Sequence, residues 1–179
     1  GDSYVQVVAS GPDVPDDPLY ETLVSQIFDA NERIWIITPY FVPDEMLARA
    51  LKLAARRGVD VRLIIPERSN HITTDLARVS YLRELDEAGA QVLLYHPVML
   101  HAKAVIFDHR LAVIGSANMD NRSLFLNYEV ALFLYSGREI DELTGWARGL
   151  QNYCRPNTIQ GGWFRELLEN IVRLFSPLL

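Results

Sequence analysis

The sequence predicts an α/β fold, in which a mixed, mostly β-sheet core is flanked by helices on both faces and followed by a C-terminal amphipathic helix. Apolar stretches of strand length alternate with segments whose apolar residues recur at helical spacing, which is typical of this fold class. The 179 residues are 49% hydrophobic, enough to bury the core of one domain. We place that domain at residues 1–160 and the amphipathic tail at residues 161–179.

The first part of the chain alternates between strands and helices. Proline suits the first turn of a helix, so Pro18 indicates a helix start, and Gly58 is typical of a helix end. Pro39 and Pro66 each stop a buried-looking strand. We predict elements at residues 4–9 (strand), from 17 onward (helix), 33–38 (strand), 44–57 (helix) and 59–65 (strand).

The middle of the chain contains a hairpin between further strands and helices. Val105, Ile106 and Phe107 are β-formers, as are residues 111–114, and a short polar turn separates the two runs. We predict elements at residues 74–88 (helix), 91–95 (strand), 105–107 and 111–114 (the hairpin), 128–134 (strand) and 139–153 (helix).

The tail at residues 161–179 is amphipathic when it is drawn as a helix. One side carries apolar residues: Trp163, Phe164, Leu167, Leu168, Ile171, Leu174 and Phe175. The charges on the other side cancel, so the tail lacks the basic face of a strong binder of anionic lipid. Two interpretations stay open: the tail docks on the domain or a partner half, or it lies in a membrane interface.

One motif carries the chemistry of this sequence, and it has the form H-x-K-x4-D-x6-G-S-x-N. Alternate side chains share a face of a strand, so we expect His101 and Lys103 to point the same way, with Asp108 off that row. After the second strand, Ser116 and Asn118 can return a hydroxyl and an amide to the same place. An imidazole, an ammonium and neutral donors together suit an anionic phosphate.

Several of these residues also have a purely structural interpretation. Asp108 could be the polar head of the hairpin turn, and Glu129 could be an ordinary carboxylate at a strand edge. Tyr40 and Phe41 follow the carboxyl end of a strand, where they either line a pocket or pack the loop. The other histidines, His71, His96 and His109, show no spacing typical of metal ligands, so we expect no metal site.

Charge and cysteine content narrow the function classes. Lys and Arg total 17 against 23 Asp and Glu, a formal net charge of −6. An acidic chain has no broad field to attract nucleic acid, although a local basic pocket can still bind a phosphate. The single cysteine, Cys154, excludes an internal disulfide. No apolar run reaches the length of a spanning helix, and the start lacks a signal-peptide pattern.

The motif resembles the signature of the phospholipase D superfamily. The resemblance implies that a histidine forms a covalent phosphohistidine, and that a second histidine from another motif copy protonates the leaving oxygen. His101 would be the nucleophile or its acid partner, and Lys103 and Asn118 would hold phosphate oxygens. Ser116 would assist through a hydrogen bond, and Asp108 would be a structural or electrostatic member. Glu129 would accept a hydrogen bond from the histidine and set its tautomer.

Other stretches look like the C-terminal half of bacterial cardiolipin synthases, over essentially the whole chain. They are Thr38-Pro-Tyr-Phe-Val-Pro43, Arg57-Gly-Val-Asp-Val, Leu100-His-Ala-Lys, the run from Asn118 to Leu124, Asn127-Tyr-Glu129 and the Phe175-Ser-Pro-Leu-Leu end. This resemblance implies that two phosphatidylglycerol molecules are joined and glycerol is released, without a metal, nucleotide or other cofactor. It also implies action at the surface of the bacterial cell membrane, with this segment peripheral, and no nucleic-acid partner.

The chain departs from that family pattern because it carries one motif copy and no spanning segment. Its start, Gly-Asp-Ser followed directly by a strand, favours a fragment of a longer protein. The second motif would come from the same parent chain or from a homodimer, and we expect an isolated monomer to be inactive. Alternatives are a phospholipase D-type hydrolase, a homodimeric single-motif nuclease and, least favoured, a non-catalytic scaffold. The preferred lipids, the role of His101 and the membrane side stay open.

Overall fold

The computed structural model describes residues 4–157 except 71 and 136. Within these residues, strands and helices alternate as predicted. The strands are β1 (Val5–Ser10), β2 (Arg33–Ile37), β3 (Phe41–Val42), β4 (Asp60–Pro66), β5 (Gln91–Tyr95), β6 (Ala104–Phe107), β7 (Leu111–Gly115), β8 (Met119–Asp120), β9 (Glu129–Leu134) and β10 (Cys154–Pro156). The helices are α1 (Pro18–Asp29), α2 (Glu45–Arg56), α3 (Ile72–Glu87) and α4 (Arg138–Gln151), with one π-helical turn at Arg122–Leu126.

Eight strands form one mixed sheet in the order β1-β9-β7-β6-β2-β4-β5-β10. The β2–β4 and β4–β5 pairs are parallel, and the other pairs are antiparallel. The predicted hairpin is confirmed as β6–β7, in which Ala104 pairs with Ile114 and Phe107 with Leu111. The mixed α/β class predicted from the sequence is therefore confirmed.

Helices cover both faces of the sheet, because its central strands carry apolar side chains on both sides. All five residues of β2 are buried, which is typical of a strand between two helical layers. Apolar residues of α1, α2 and α3 pack with Ile34, Ile36 and Val105 on one face. On the other face, Ile140 and Ala147 of α4 pack with Trp35 and its neighbours.

Local signals set the helix ends close to the predicted positions. The Asp44 carboxylate accepts hydrogen bonds from the backbone N–H groups of Met46 and Leu47, at 3.0 and 3.2 Å, and so caps α2. Gly58 follows α2 with φ of +90°, a conformation that glycine adopts without steric cost. Among the described residues, no helix is long and apolar enough to cross a membrane.

Some elements differ from the prediction. The strand pair β3–β8 forms a separate two-stranded parallel sheet, and β10 extends the main sheet beside β5; neither was predicted. Strands of two or three residues are too short to show an alternating pattern. The predicted tail helix and the domain boundary after residue 160 lie outside the described residues and stay predictions.

Candidate active site

His101 and Lys103 lie together at the end of the sheet where β6 begins. The carbonyl of Lys103 accepts a hydrogen bond from the Gly115 N–H at 3.2 Å, which extends the ladder of the β6–β7 hairpin. The Lys103 ammonium lies 3.1 Å from Nδ1 and 3.3 Å from Nε2 of His101, and it donates to the His101 carbonyl at 3.1 Å. The structure therefore brings the two side chains together, as the spacing predicted.

The Lys103 ammonium lies over the face of the His101 ring. The lysine nitrogen is nearly equidistant from Nδ1 and Nε2, whose in-plane bonding directions point apart, so it lies along neither direction. A position in the ring plane at equal distance from both nitrogens would bring it too close to Cε1, which lies between them. Consequently, the ammonium does not lie on the in-plane lone pair of a neutral imidazole, and the His101 side chain is exposed.

Ser116 and Glu129 form a second part of the site. The Ser116 hydroxyl donates a hydrogen bond to the Glu129 carboxylate and accepts one from the Val130 N–H at 3.0 Å. The other Glu129 oxygen accepts from Asn127 Nδ2 at 3.4 Å. Gly115 permits this arrangement, because a Cβ there would lie 2.5 Å from the Val130 carbonyl oxygen. The close approach of β7 and β9 thus fixes Ser116.

Asn118 completes the set of donors. Its Nδ2 donates to the Ser123 hydroxyl at 3.0 Å, while its buried Oδ1 has no hydrogen-bond partner among the described residues. Lys103 and Asn118 also line one narrow cavity between the hairpin and α1. The motif's hydroxyl, amide, imidazole and ammonium therefore belong to one end of the sheet.

Asp120 lies beside the candidate site, and the sequence analysis did not identify it. It is 6% exposed, and it accepts a hydrogen bond from the Ser123 N–H at 2.7 Å. Burial raises the pKa of the Asp120 carboxyl, and the charge of Glu129 acts in the same direction. A carboxylate directly after the motif, on the two-residue strand β8, was the only sequence signal for it.

Burial also lowers the pKa of the Lys103 ammonium below its ordinary value. The nearby carboxylates of Glu129 and Asp120 act in the opposite direction and favour the charged form. An ammonium that is partly withdrawn from water attracts an anion more strongly than one in bulk solvent. Lys103 is therefore suited to contact a phosphate oxygen.

Tyr40 and Phe41 have different positions. The half-buried Tyr40 lies beside His101, with the two rings edge to face and their centroids 6.4 Å apart. Its hydroxyl donates to Asn70 Oδ1. Phe41 is fully buried and pairs with Met119 between β3 and β8. The expectation that Phe41 lines a pocket is therefore corrected: its ring supports the site from within the core.

Asp108 is not brought to the cluster. It follows β6 at the opposite end from Lys103, across roughly 16 Å of extended chain. Its carboxylate accepts hydrogen bonds from the backbone N–H groups of Asn31, Glu32 and Arg33, at 3.2, 2.9 and 3.0 Å. Burial alone would raise the pKa of Asp108, but these bonds hold it below its ordinary value. These contacts favour the structural alternative over an electrostatic one at the site.

The hydrogen bond expected between Glu129 and His101 is also not observed. The carboxylate oxygens of Glu129 contact Ser116 and Asn127 instead. Nor does any group of His, Cys, Asp and Glu in the described part of the chain have an arrangement that could hold a metal ion.

The family model and the curated proteins that match this chain point to the same family. The family model described as cardiolipin synthase, PLD-like domain, matches residues 23–150. The cardiolipin synthase of Alkalihalophilus pseudofirmus is 39% identical over 183 residues, which cover 100% of this chain and 36% of that protein. The cardiolipin synthase of Halalkalibacterium halodurans is 41% identical over 182 residues, covering 99% and 36%. The chain thus spans just over a third of the length of these relatives.

Solved structures share the fold at low sequence identity. A phospholipase D family member, Nuc from Salmonella typhimurium, has a TM-score of 0.74 at 22% identity, covering 87% of this chain and 99% of that one. Phosphatidylserine synthase from Haemophilus influenzae has a TM-score of 0.69 at 15% identity, covering 97% of this chain and 45% of that one. These similarities establish the architecture.

Proposed function

Since the chain belongs to the family of cardiolipin synthase, PLD-like domains, we propose that it supplies one half of a phosphatidyltransferase site. The reaction joins two phosphatidylglycerol molecules into cardiolipin and releases glycerol. The observation that carries this proposal is that Lys103 contacts His101 and also lines one cavity with Asn118. Ser116 directly follows Gly115, whose N–H donates to the Lys103 carbonyl. These side chains would bind a phosphate around one nucleophilic histidine.

In the first step, a ring nitrogen of His101 attacks the phosphorus of the donor lipid. The new P–N bond forms as the bond from phosphorus to the glycerol oxygen breaks, and an acid protonates that oxygen so that glycerol leaves. Lys103 and Asn118 contact the phosphate oxygens and stabilise their charge in the transition state. We assign the nucleophile to His101 because both phosphate ligands lie in its own half of the site.

In the second step, the terminal glycerol hydroxyl of an acceptor lipid attacks the same phosphorus. A P–O bond forms, the P–N bond breaks, and the hydroxyl proton passes to the base left by the first step. His101 is regenerated, so two phosphatidylglycerol molecules become one cardiolipin and one glycerol. Water must be kept from the phosphohistidine for transfer to exceed hydrolysis.

The acid in this scheme comes from a second motif. No described histidine is hydrogen-bonded to His101, and His109 lies at the opposite end of the hairpin. We propose that a second histidine enters from another half-domain of the parent chain or from a second copy. The greater length of the curated relatives supports the first source. The domain would act peripherally at the bacterial cell membrane, on lipid.

The test is product analysis with the parent protein. It is incubated with phosphatidylglycerol vesicles, with phosphatidylcholine plus ethanol, and with single-stranded DNA. We expect cardiolipin and glycerol in equal amounts, lost in His101→Ala and kept in His109→Ala, a histidine of the same hairpin. Phosphatidic acid as the sole lipid product would indicate a hydrolase, and DNA cleavage alone would contradict the proposal.

A further inference from the structure

A second cavity opens beside the loop that carries His101. Its volume is about 220 Å³, and it lies at the carboxyl ends of β4 and β5. We call it the β4–β5 cavity, and its lining residues are Glu67, Arg68, Tyr95, His96, Val98 and Met99. The chemistry described above uses none of them.

The β4–β5 cavity adjoins the reacting histidine through two segments. The first is the loop from His96 to His101, which forms one wall and ends at the imidazole. The second is the segment from Glu67 to Asn70, which the Tyr40 hydroxyl joins to the site, because the Tyr40 ring also contacts His101. The cavity is thus linked to His101 by this loop on one side and by Tyr40 on the other.

The backbone beneath the cavity is held firmly. The Glu67 N–H donates to the Tyr95 carbonyl at 2.9 Å. The buried Arg78 guanidinium donates to the carbonyls of Pro66 and Glu67, at 3.0 and 2.9 Å. The backbone at Pro66 and Glu67 is thus set before any ligand arrives, which lowers the entropic cost of ordering this wall of the cavity.

The lining combines three kinds of chemistry. Arg68 is exposed and forms no hydrogen bond or ion pair with the residues that the structure describes, so its guanidinium is available to an anion. Arginine donors match the oxygens of a phosphate. The Glu67 carboxylate can accept hydrogen bonds from hydroxyl groups, and Val98, 69% exposed, offers an apolar surface at the rim. Together these groups suit the headgroup of a glycerol phospholipid.

The acceptor lipid requires such a place. Its attacking hydroxyl is separated from its own phosphate by only the three carbons of glycerol, so that phosphate must lie close to His101 during transfer. Lys103 and Asn118 are then occupied by the donor phosphate, and a second phosphate needs a second cation. The cavity is smaller than the roughly 300 to 1,000 Å³ of sites for drug-sized ligands, which fits a headgroup and not a whole lipid.

We propose that the β4–β5 cavity binds the headgroup of the acceptor phosphatidylglycerol, with Arg68 on its phosphate and Glu67 on a glycerol hydroxyl. This assignment rests on the proposed function. It makes Arg68 a residue that selects the acceptor, while donor attack by His101 is independent of it.

The experiment measures how the phosphatidyl group is divided between two acceptors. The parent protein is given phosphatidylglycerol vesicles with ethanol, so that cardiolipin and phosphatidylethanol form from the same phosphohistidine. We expect Arg68→Gln to lower the ratio of cardiolipin to phosphatidylethanol about tenfold, since one charge-assisted hydrogen-bonded contact is lost. Arg68→Lys restores part of the ratio. Arg138→Gln, an exposed arginine of α4, is the matched control and leaves the ratio unchanged.

The outcomes separate this assignment from the proposed function. An unchanged ratio in Arg68→Gln, or an equal fall of both products, overturns the cavity assignment while the synthase function stands. A wild-type parent protein that forms phosphatidylethanol and no cardiolipin contradicts the proposed function, and the acceptor assignment with it. A further arm offers glycerol phosphate as the acceptor, which carries the same phosphate without a lipid. If transfer depends on Arg68 with glycerol phosphate but not with phosphatidylglycerol, the assignment of the cavity to a lipid headgroup is overturned.

Discussion

Ser116 connects the end of β7 to Glu129 at the start of β9: its hydroxyl donates to the Glu129 carboxylate and accepts the next N–H of β9, that of Val130, at 3.0 Å. A serine of the motif thus fixes the position of a carboxylate 13 residues later in the chain. The charge of Glu129 in turn favours the ammonium form of Lys103. The hydroxyl therefore acts on the proposed phosphate site through Glu129 and Lys103.

Removing that hydroxyl tests this connection. In Ser116→Ala, the Glu129 carboxylate keeps only the longer hydrogen bond from Asn127, so we expect the kcat of cardiolipin formation to fall on the order of tenfold. Stability is expected to change little, because Ser116 is exposed. Steady-state kinetics of the parent protein would check this, with Ser25→Ala on an exposed position of α1 as control. A wild-type kcat in Ser116→Ala would contradict the connection.

Gly115, which precedes Ser116, is expected to be indispensable for the packing of β7 against β9. In Gly115→Ala, the new Cβ would lie 2.5 Å from the Val130 carbonyl oxygen, so β7 and β9 must separate. We expect a loss of about 1 to 3 kcal/mol in the free energy of unfolding, as for other overpacked sites. Denaturant titration would measure it.

The matched control is Gly145→Ala within α4, where the added Cβ meets no atom within 4 Å. Alanine is the better helix former, so this variant is expected to gain roughly 0.5 to 1 kcal/mol. Equal effects of the two substitutions would refute the account of Gly115.

Asp108 is expected to matter for stability and its pH dependence. In Asp108→Ala, three backbone N–H groups lose their acceptor, which costs about 2 kcal/mol or more. The pKa of Asp108 is lowered in the folded protein, so its contribution is complete above the ordinary value of 3.8 and is lost as the pH falls through the folded value. We expect this acid dependence to weaken in the variant.

Urea denaturation at several pH values would test this, with the exposed Asp13→Ala as control. An electrostatic role at the site predicts a different result: lost transfer activity in Asp108→Ala with unchanged stability.

Asp120 affects the pH dependence of stability in the opposite direction to Asp108. Because its pKa is raised in the folded protein, ionisation destabilises the fold, and stability falls as the pH rises above about 3.8 through the folded value. Asp120→Asn should remove that decline. It should also lower the pKa of Lys103 further, since one nearby negative charge is lost, and move the alkaline limb of kcat to lower pH.

A pH–rate profile of the parent protein would check the shift, beside Asp86→Asn on an exposed position of α3. An alkaline limb that stays in place would show that Asp120 does not act on Lys103.

Regular elements could be predicted because their patterns repeat. The buried run of β2 and the β6–β7 hairpin follow from apolar periodicity and a polar turn. The two-residue spacing also predicted the convergence of His101 and Lys103, although both residues precede the start of β6 at Ala104. These relations are local, so neighbouring residues determine them.

Other features depend on contacts that are distant in the sequence. Phe41 reads like an exposed loop aromatic until β8 pairs with β3 and encloses it. Asp108 binds backbone groups 75 to 77 residues away, which no spacing in the motif indicates. Likewise, the partners of Glu129 depend on how closely β7 approaches β9, and this is set by Gly115.

If His101 is the nucleophile of a two-histidine transfer, the covalent intermediate can be trapped on its ring. The parent protein is quenched during turnover of phosphatidylglycerol, digested under alkaline conditions and analysed by mass spectrometry. We expect a phosphatidyl adduct on His101, absent in His101→Ala and retained in His109→Ala. An adduct found only on a histidine outside this chain, in the wild-type protein, would contradict this assignment of the nucleophile.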